Sequence, residues 1–89
     1  MKAVVTVIGR DRVGIIAAVS TCLAENNVNI LDISQTILQD YFTMIMLVEM
    51  DSVCIAIPDL SEDLNAVGER LGVQVRVQHE EVFSAMHRV

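Results

Sequence analysis

The chain has 89 residues and a mass of 9.8 kDa, which predicts one domain over residues 1–89, since domains run from about 50 to 250 residues. Its net charge is −6 and its six Lys and Arg are scattered, which argues against direct nucleic-acid binding, because that needs a basic patch. No apolar run approaches the ~20 residues of a membrane span, and the start lacks the pattern of a signal peptide. We therefore expect a cytoplasmic protein with no membrane contact.

The apolar content is high for so short a chain, at 53% with only 3% aromatic residues. A small domain cannot hide that much apolar surface alone, so some of it is expected to pair with another subunit. This predicts a homodimer that buries the open face of a sheet or joins two sheets edge to edge. The two cysteines, Cys22 and Cys54, form neither a disulfide framework nor a metal-binding spacing.

The first half of the chain predicts a strand, a helix and two further strands. Residues 2–8 are β-branched and indicate a strand, followed by a loop in which Asp11 is placed to cap a helix. Apolar residues at a spacing of three and four predict that helix from Val13 to about Asn26. Residues 28–38 and 41–50 then indicate two more strands.

The second half predicts one helix and one strand. Pro58 suits a first helical turn, and Asp59 with Glu62 three residues later resembles a capping box. Gly72 fits just past the helix end. Residues 73–78 then alternate apolar and polar, which indicates a fourth strand, and residues 80–89 predict a short amphipathic helix docked on an apolar surface.

The order βαββαβ predicts an α+β fold of the ferredoxin-like kind, with a four-stranded antiparallel sheet and both helices on one face. Strands one and three are apolar on both faces, which is typical of central strands, whereas strands two and four mix in polar residues. The expected strand order is 4-1-3-2. The opposite face of strand three should then expose either Ile45 and Leu47 or the methionines at 44, 46 and 50.

Most catalytic interpretations lack the residues they need. There is no nucleophile elbow, no glycine-rich phosphate loop and no His-Glu-x-x-His motif, and no cofactor is indicated. His79 and His87 stand apart from other metal-ligating residues, so we expect no metal site. Arg10 and Arg12 keep open an acylphosphatase-like enzyme, although the carboxylate between them would repel a phosphate.

The first loop is the best candidate site, because it leads into a helix N-terminus whose free N–H groups suit a carboxylate. Gly14 removes a side chain there and opens the backbone to a ligand. Asp11 could accept hydrogen bonds from a ligand ammonium group, serve as the helix cap, or do both.

These residues carry a resemblance. The segments Gly9-x-Asp11-Arg12-x-Gly14-Ile15 and Asn27-Val-Asn-Ile-Leu-Asp-Ile-Ser-Gln35, on a βαββαβ frame, resemble an ACT domain. The C-terminal segment His79-Glu-Glu-Val-Phe-x-Ala-Met-His-Arg-Val89 is similar to that of small stand-alone bacterial ACT proteins of an uncharacterised family. The tandem-ACT repressor of the glycine cleavage system is a more distant likeness.

The resemblance implies a non-enzymatic regulatory module that binds a small amino acid at a dimer interface or signals to a protein partner. A pure interaction subunit without a ligand is the main alternative. In amino-acid-binding ACT domains the first loop and helix start contact the ligand, and the start of strand two completes the site across the dimer. The positions that match these here are Asp11, Arg12, Val13, Gly14, Ile15, Asn29 and Ile30.

Overall fold

The structure, a computed structural model, describes residues 1–51 and 55–82. Four strands and two helices form two layers: β1 (Lys2–Arg10), α1 (Ile15–Glu25), β2 (Asn29–Leu38), β3 (Tyr41–Glu49), α2 (Ile57–Leu71) and β4 (Val73–His79). The sheet order is β2-β3-β1-β4, with every neighbouring pair antiparallel. This confirms the predicted ferredoxin-like fold and strand order. Among the described residues, no helix is long and apolar enough to cross a membrane.

Strands β1 and β4 run further than the sequence predicts, because pairing continues past the last β-branched residue, whereas β2 and β3 are each one residue shorter than predicted. β1 extends to Arg10, since Gly9 pairs with Phe42 and with Val73 on its two sides and Arg10 still pairs with Tyr41. The β2–β3 pairing has a bulge at Leu31, between the pairs formed by the residues on either side of it. A bulge bends and twists an edge strand locally.

The core lies between the helices and one face of the sheet. The methionines of β3 point into it and are fully buried, so the alternative with Ile45 on the opposite face is the one observed. Ile45 is 40% exposed there, and Leu47 is half-buried. We call this opposite side the open face. The buried helix residues are Ile15, Val19 and Leu23 of α1 and Leu60, Leu64, Val67 and Gly68 of α2.

Both predicted helix caps are wrong. The N-cap of α1 is Gly14, at φ 95°, and no side chain caps the helix, so Asp11 lies too early to serve as its cap. The N-cap of α2 is Ala56, again without a side-chain cap, so Asp59 and Glu62 form no capping box. Pro58 does lie in the first turn, and Gly72 ends the helix in the left-handed conformation at φ 73°, as predicted.

The predicted C-terminal helix is described only at its start. Residues 80–82 are helical and follow β4 directly, and the Glu81 N–H donates a hydrogen bond to His79 Nδ1 over 3.2 Å. Residues 83–89, which include His87, lie outside the described residues.

Candidate ligand site

The first loop, residues 11–14, is tied to the β2–β3 hairpin through its backbone. The Asp11 N–H donates to the Asp40 carbonyl oxygen over 2.8 Å, so the loop lies at the sheet end where β1 finishes and the hairpin turns. The Asp11 residue is exposed, and its carboxylate has no hydrogen bond or ion pair within the described part of the chain. It is available to a ligand cation.

Arg12 is also exposed, but its guanidinium has a partner within the fold. Arg12 Nη1 donates to the carbonyl oxygen of Leu71, the last residue of α2, over 3.1 Å. A cation at a helix C-terminus is favoured by the helix dipole. Arg12 therefore links the first loop to α2, and an anion-cradling loop of the acylphosphatase kind would have to break this link.

Position 14 favours glycine because of its backbone conformation and not because a neighbouring atom leaves no room for a side chain. Its φ of 95° is one that L side chains rarely adopt, while a Cβ built there would meet nothing within 4 Å. The Gly14 carbonyl accepts the first helical bond, from the Ala18 N–H over 2.9 Å. Because α1 has neither a side-chain cap nor an acidic residue in its first turn, the N–H groups of its first turn can receive an anion.

Val13 and Ile15 differ sharply in position. Val13 is 99% exposed, whereas Ile15 is 2% exposed and packs in the core. Ile15 therefore offers almost no accessible atom to a ligand, backbone included, whereas Val13 exposes an apolar side chain on the loop. Of the five residues matched in this region, the first four are exposed and Ile15 is buried.

Asn29 and Ile30 lie at the other end of the molecule from the first loop. Asn29 pairs with Glu49, which pairs with Lys2 at the start of β1, whereas Leu38 and Tyr41 lie at the end of β1. Nine residue steps of about 3.3 Å make this separation roughly 30 Å. One chain therefore does not bring its two predicted site segments together.

A groove of about 750 Å³ lies between the outer faces of the helices and reaches from Gly14 to Arg70. Cys22, half-buried, lines it. Burial raises the pKa of the Cys22 thiol, the carboxylates of Asp63 and Glu25 raise it further, and Arg70 lowers it. The thiol is therefore protonated at neutral pH and is a poor nucleophile.

In the part of the chain that the structure describes, no group of three His, Cys, Asp or Glu could hold a metal ion. His79, which the sequence set apart from other ligands, accepts a backbone hydrogen bond instead.

The β2 edge is a feature that sequence reasoning treated only in general terms. Ile33 and Ile37 pair with β3 residues that are buried, but they are themselves 43% and 54% exposed. The helices do not cover this edge strand. A signal was present: residues 29–38 contain no Lys, Arg or Pro, the residues that commonly protect a free strand edge.

A four-stranded antiparallel sheet in βαββαβ order, with both helices on one face, defines a small domain of the ferredoxin-like kind. A family model described as the ACT domain matches residues 2–78. The chain belongs to the ACT domain family, which confirms the resemblance seen in the sequence.

Relatives of the same length support this. A UPF0237 protein of Methanopyrus kandleri is 57% identical over 88 residues, which are 99% of this chain and 98% of that protein. A solved ACT domain protein from Streptococcus pneumoniae superimposes with a TM-score of 0.82 at 42% identity and covers 98% of both chains.

Longer proteins contain the same fold. The regulatory subunit of aspartate kinase from Thermus thermophilus matches with a TM-score of 0.68 at 26% identity, over 86% of this chain and 50% of that one. A candidate glycine cleavage system transcriptional repressor matches with a TM-score of 0.76 at 23% identity, over 86% of this chain and 44% of that one. The second likeness concerns the fold alone.

Proposed function

We propose that residues 1–89 act as one non-catalytic regulatory domain that binds a small amino acid as a homodimer and passes the signal to a protein partner. The observation that carries this proposal is the uncapped start of α1 next to the exposed Asp11 carboxylate. A helix N-terminus favours a carboxylate, and Asp11 would accept hydrogen bonds from an ammonium group. An amino acid carries both groups on adjacent atoms.

The site residues follow from this pairing of charges. The ligand carboxylate would bind the exposed backbone at Gly14, where α1 begins, and the ammonium group would bind Asp11. Val13 would cover the ligand's side chain, and Arg12 would lie at the border of the site. The start of β2 of a second subunit, Asn29 and Ile30, would complete it. Membership of the ACT family and the likeness to a regulatory subunit support a regulatory role.

A thermal-shift screen against the twenty amino acids tests the proposal. A ligand at a hundredfold excess over its dissociation constant stabilises the folded state by about 2.7 kcal/mol, and each kcal/mol raises the melting temperature of a domain this size by about 4–8 °C. The matched controls are the amine without the carboxylate and the acid without the amino group, and we expect neither to stabilise the protein.

A ligand-free interaction subunit is the second candidate, favoured by the exposed apolar residues of the β2 edge. It predicts a dimer of about 20 kDa, twice the 9.8 kDa chain, by sedimentation equilibrium, with no thermal shift from any amino acid. A shift with one amino acid and with neither control compound would instead support the regulatory ligand site.

A further inference from the structure

The open face of the sheet is closed at one end. Along β1 the side chains of Val4, Thr6 and Ile8 point to this face, because they alternate with core residues. Ile8 is 48% exposed and Thr6 is half-buried, but Val4 is only 5% exposed. The same gradient runs along β3, from Ile45 at 40% to the half-buried Leu47 beside Val4. Exposure therefore falls towards the end of the sheet where β1 begins.

The neighbouring strands alone do not account for the burial of Val4. Its register neighbours are Leu47 on β3 and Gln78 on β4. Thr6 likewise has one neighbour on each of these strands, yet it is only half-buried. Neighbouring side chains shield a sheet residue from the sides, whereas a further packed layer is needed to cover it from above. Both helices pack on the other face, so a different segment covers Val4.

The covering segment belongs to the same chain, because Val4 is buried in a single copy. At this end of the sheet, the connections from α1 to β2 and from β3 to α2 lead to the helix side, where Val28 and Ile55 pack against the core. The chain that follows β4 is placed differently. His79 ends β4 level with the first residues of β1, and residues 80–82 are already helical. This segment therefore starts beside the covered end of the open face.

A helix that continues from Glu80 has the length to cross the sheet at this level. Each helical residue adds about 1.5 Å, so residues 83 and 86 would lie about 4.5 and 9 Å beyond Glu80. Strands lie about 4.8 Å apart, so β1 and β3 are about 4.8 and 9.6 Å from β4. Phe83 then falls above β1, at the level of Val4. Met86 falls above β3, at the level of Leu47.

We propose that residues 80–89 form a helix that crosses the open face at this end and covers Val4 with Phe83. Phe83 and Met86 are three positions apart, so they share the side of the helix that meets the sheet. Glu81 lies on the opposite side, in solvent, and it is exposed in the structure. Burial of two large apolar side chains gives this short helix the docking surface that it needs to be stable.

The docked helix would divide the open face into a covered half and a free half. The free half holds Ile8, Ile45 and Tyr41, which are 48%, 40% and 55% exposed. It adjoins the first loop, which follows the end of β1. A protein partner that binds the sheet would therefore contact the half next to the first loop, whereas the covered half contributes to the stability of the fold.

Thiol labelling measures whether Val4 is covered and by what. In a chain whose native Cys22 and Cys54 are replaced by alanine, Val4→Cys should react with iodoacetamide about tenfold more slowly than Ile8→Cys, because access limits the reaction and the two positions are 5% and 48% exposed. Addition of Phe83→Glu should bring the two rates within about threefold of each other, because a carboxylate does not stay buried on an apolar surface without a partner.

Two controls separate local uncovering from unfolding. Ser84→Glu adds the same charge one position further along, on the side of the helix that faces away from the sheet, so it should leave the labelling at position 4 slow. Val7→Cys reports on the whole fold, because Val7 is fully buried in the core. If Phe83→Glu makes position 7 reactive as well, Phe83→Ala takes its place, and the same comparison decides the outcome.

Faster labelling at position 4 with Phe83→Glu but not with Ser84→Glu, while position 7 stays protected, supports the docked helix. Labelling at position 4 as fast as at position 8 without either glutamate overturns it, because the open face is then uncovered. Protection that Phe83→Glu leaves unchanged, or that Ser84→Glu removes equally, also overturns it. Protection that appears only as the protein concentration rises overturns it in favour of a second copy on the open face.

Discussion

Substitution of Gly9 by alanine tests how the end of β1 is packed beneath the first loop. A Cβ at Gly9 would lie 2.6 Å from Val73 Cγ1, 2.9 Å from its Cβ and 3.0 Å from its Cα. Val73 is 8% exposed and pairs with Gly9 across the β1–β4 ladder, so neither its side chain nor its backbone can move away without disturbing the core. Inserting a methyl group into such a site costs about 1–3 kcal/mol.

Urea unfolding measures this cost, and a thermal melt should show a drop of about 4 °C or more, since 1 kcal/mol corresponds to about 4–8 °C at this size. The double variant Gly9→Ala/Val73→Ala distinguishes crowding from a general loss of stability. Without Cγ1, the cost of the alanine at position 9 should fall, although the contacts with the Cβ and Cα of residue 73, at 2.9 and 3.0 Å, keep part of it. A Gly9→Ala variant within 0.5 kcal/mol of the parent would refute the packing argument.

Three further predictions concern other parts of the first loop and its groove. Arg12→Ala should lower the free energy of unfolding by about 0.3–1 kcal/mol, measured in urea, because the Leu71 carbonyl loses its cationic partner at the helix end; Arg12→Lys should recover part of it. Gly14→Ala should cost about 1–2 kcal/mol from backbone strain alone, with no crowding to relieve. Iodoacetamide at pH 8 should label Cys22 more slowly than an exposed Thr21→Cys in a chain whose other cysteines are replaced by alanine, because the raised pKa of Cys22 leaves less thiolate.

The strand order could be predicted because strands with apolar residues on both faces favour the centre of a sheet, whereas strands that mix in polar residues favour its edges. β1 and β3 carry the first pattern, and the structure places both in the middle of the sheet. The helix caps could not be predicted in the same way. The start of α1 depends on the left-handed conformation of Gly14. Because glycine adopts positive and negative φ about equally readily, the sequence alone does not predict this conformation.

The sequence predicted which residues belong to the candidate site, but it did not predict which of them lie close together. The bond from Arg12 to Leu71 spans 59 positions, so no local pattern reveals that this arginine is already engaged. The separation of Asn29 from the first loop follows only from the register of β2 on β3. Long-range geometry therefore decides which of the matched residues can act together.

Asp11→Ala separates the structural and binding roles that the sequence alone left combined. A capping aspartate replaced by alanine would lower stability by about 1 kcal/mol. Here the N-cap is Gly14 and α1 has no side-chain cap, so the variant should unfold within about 0.5 kcal/mol of the parent, as most surface substitutions do. The backbone bond from the Asp11 N–H to Asp40 remains in the variant, so the loop should keep its position.

Binding should respond quite differently. In the proposed site, loss of the Asp11 carboxylate removes a charge-assisted hydrogen bond to the ligand ammonium group, of the kind worth about 1.5–3 kcal/mol, which should weaken the affinity roughly 10- to 150-fold. Calorimetric titration with the amino acid found in the screen measures this, with Asp40→Ala as the control, because Asp40 holds the loop through its backbone carbonyl. If Asp11→Ala lowers stability and leaves the affinity unchanged, Asp11 serves the fold, and the ammonium group must bind elsewhere.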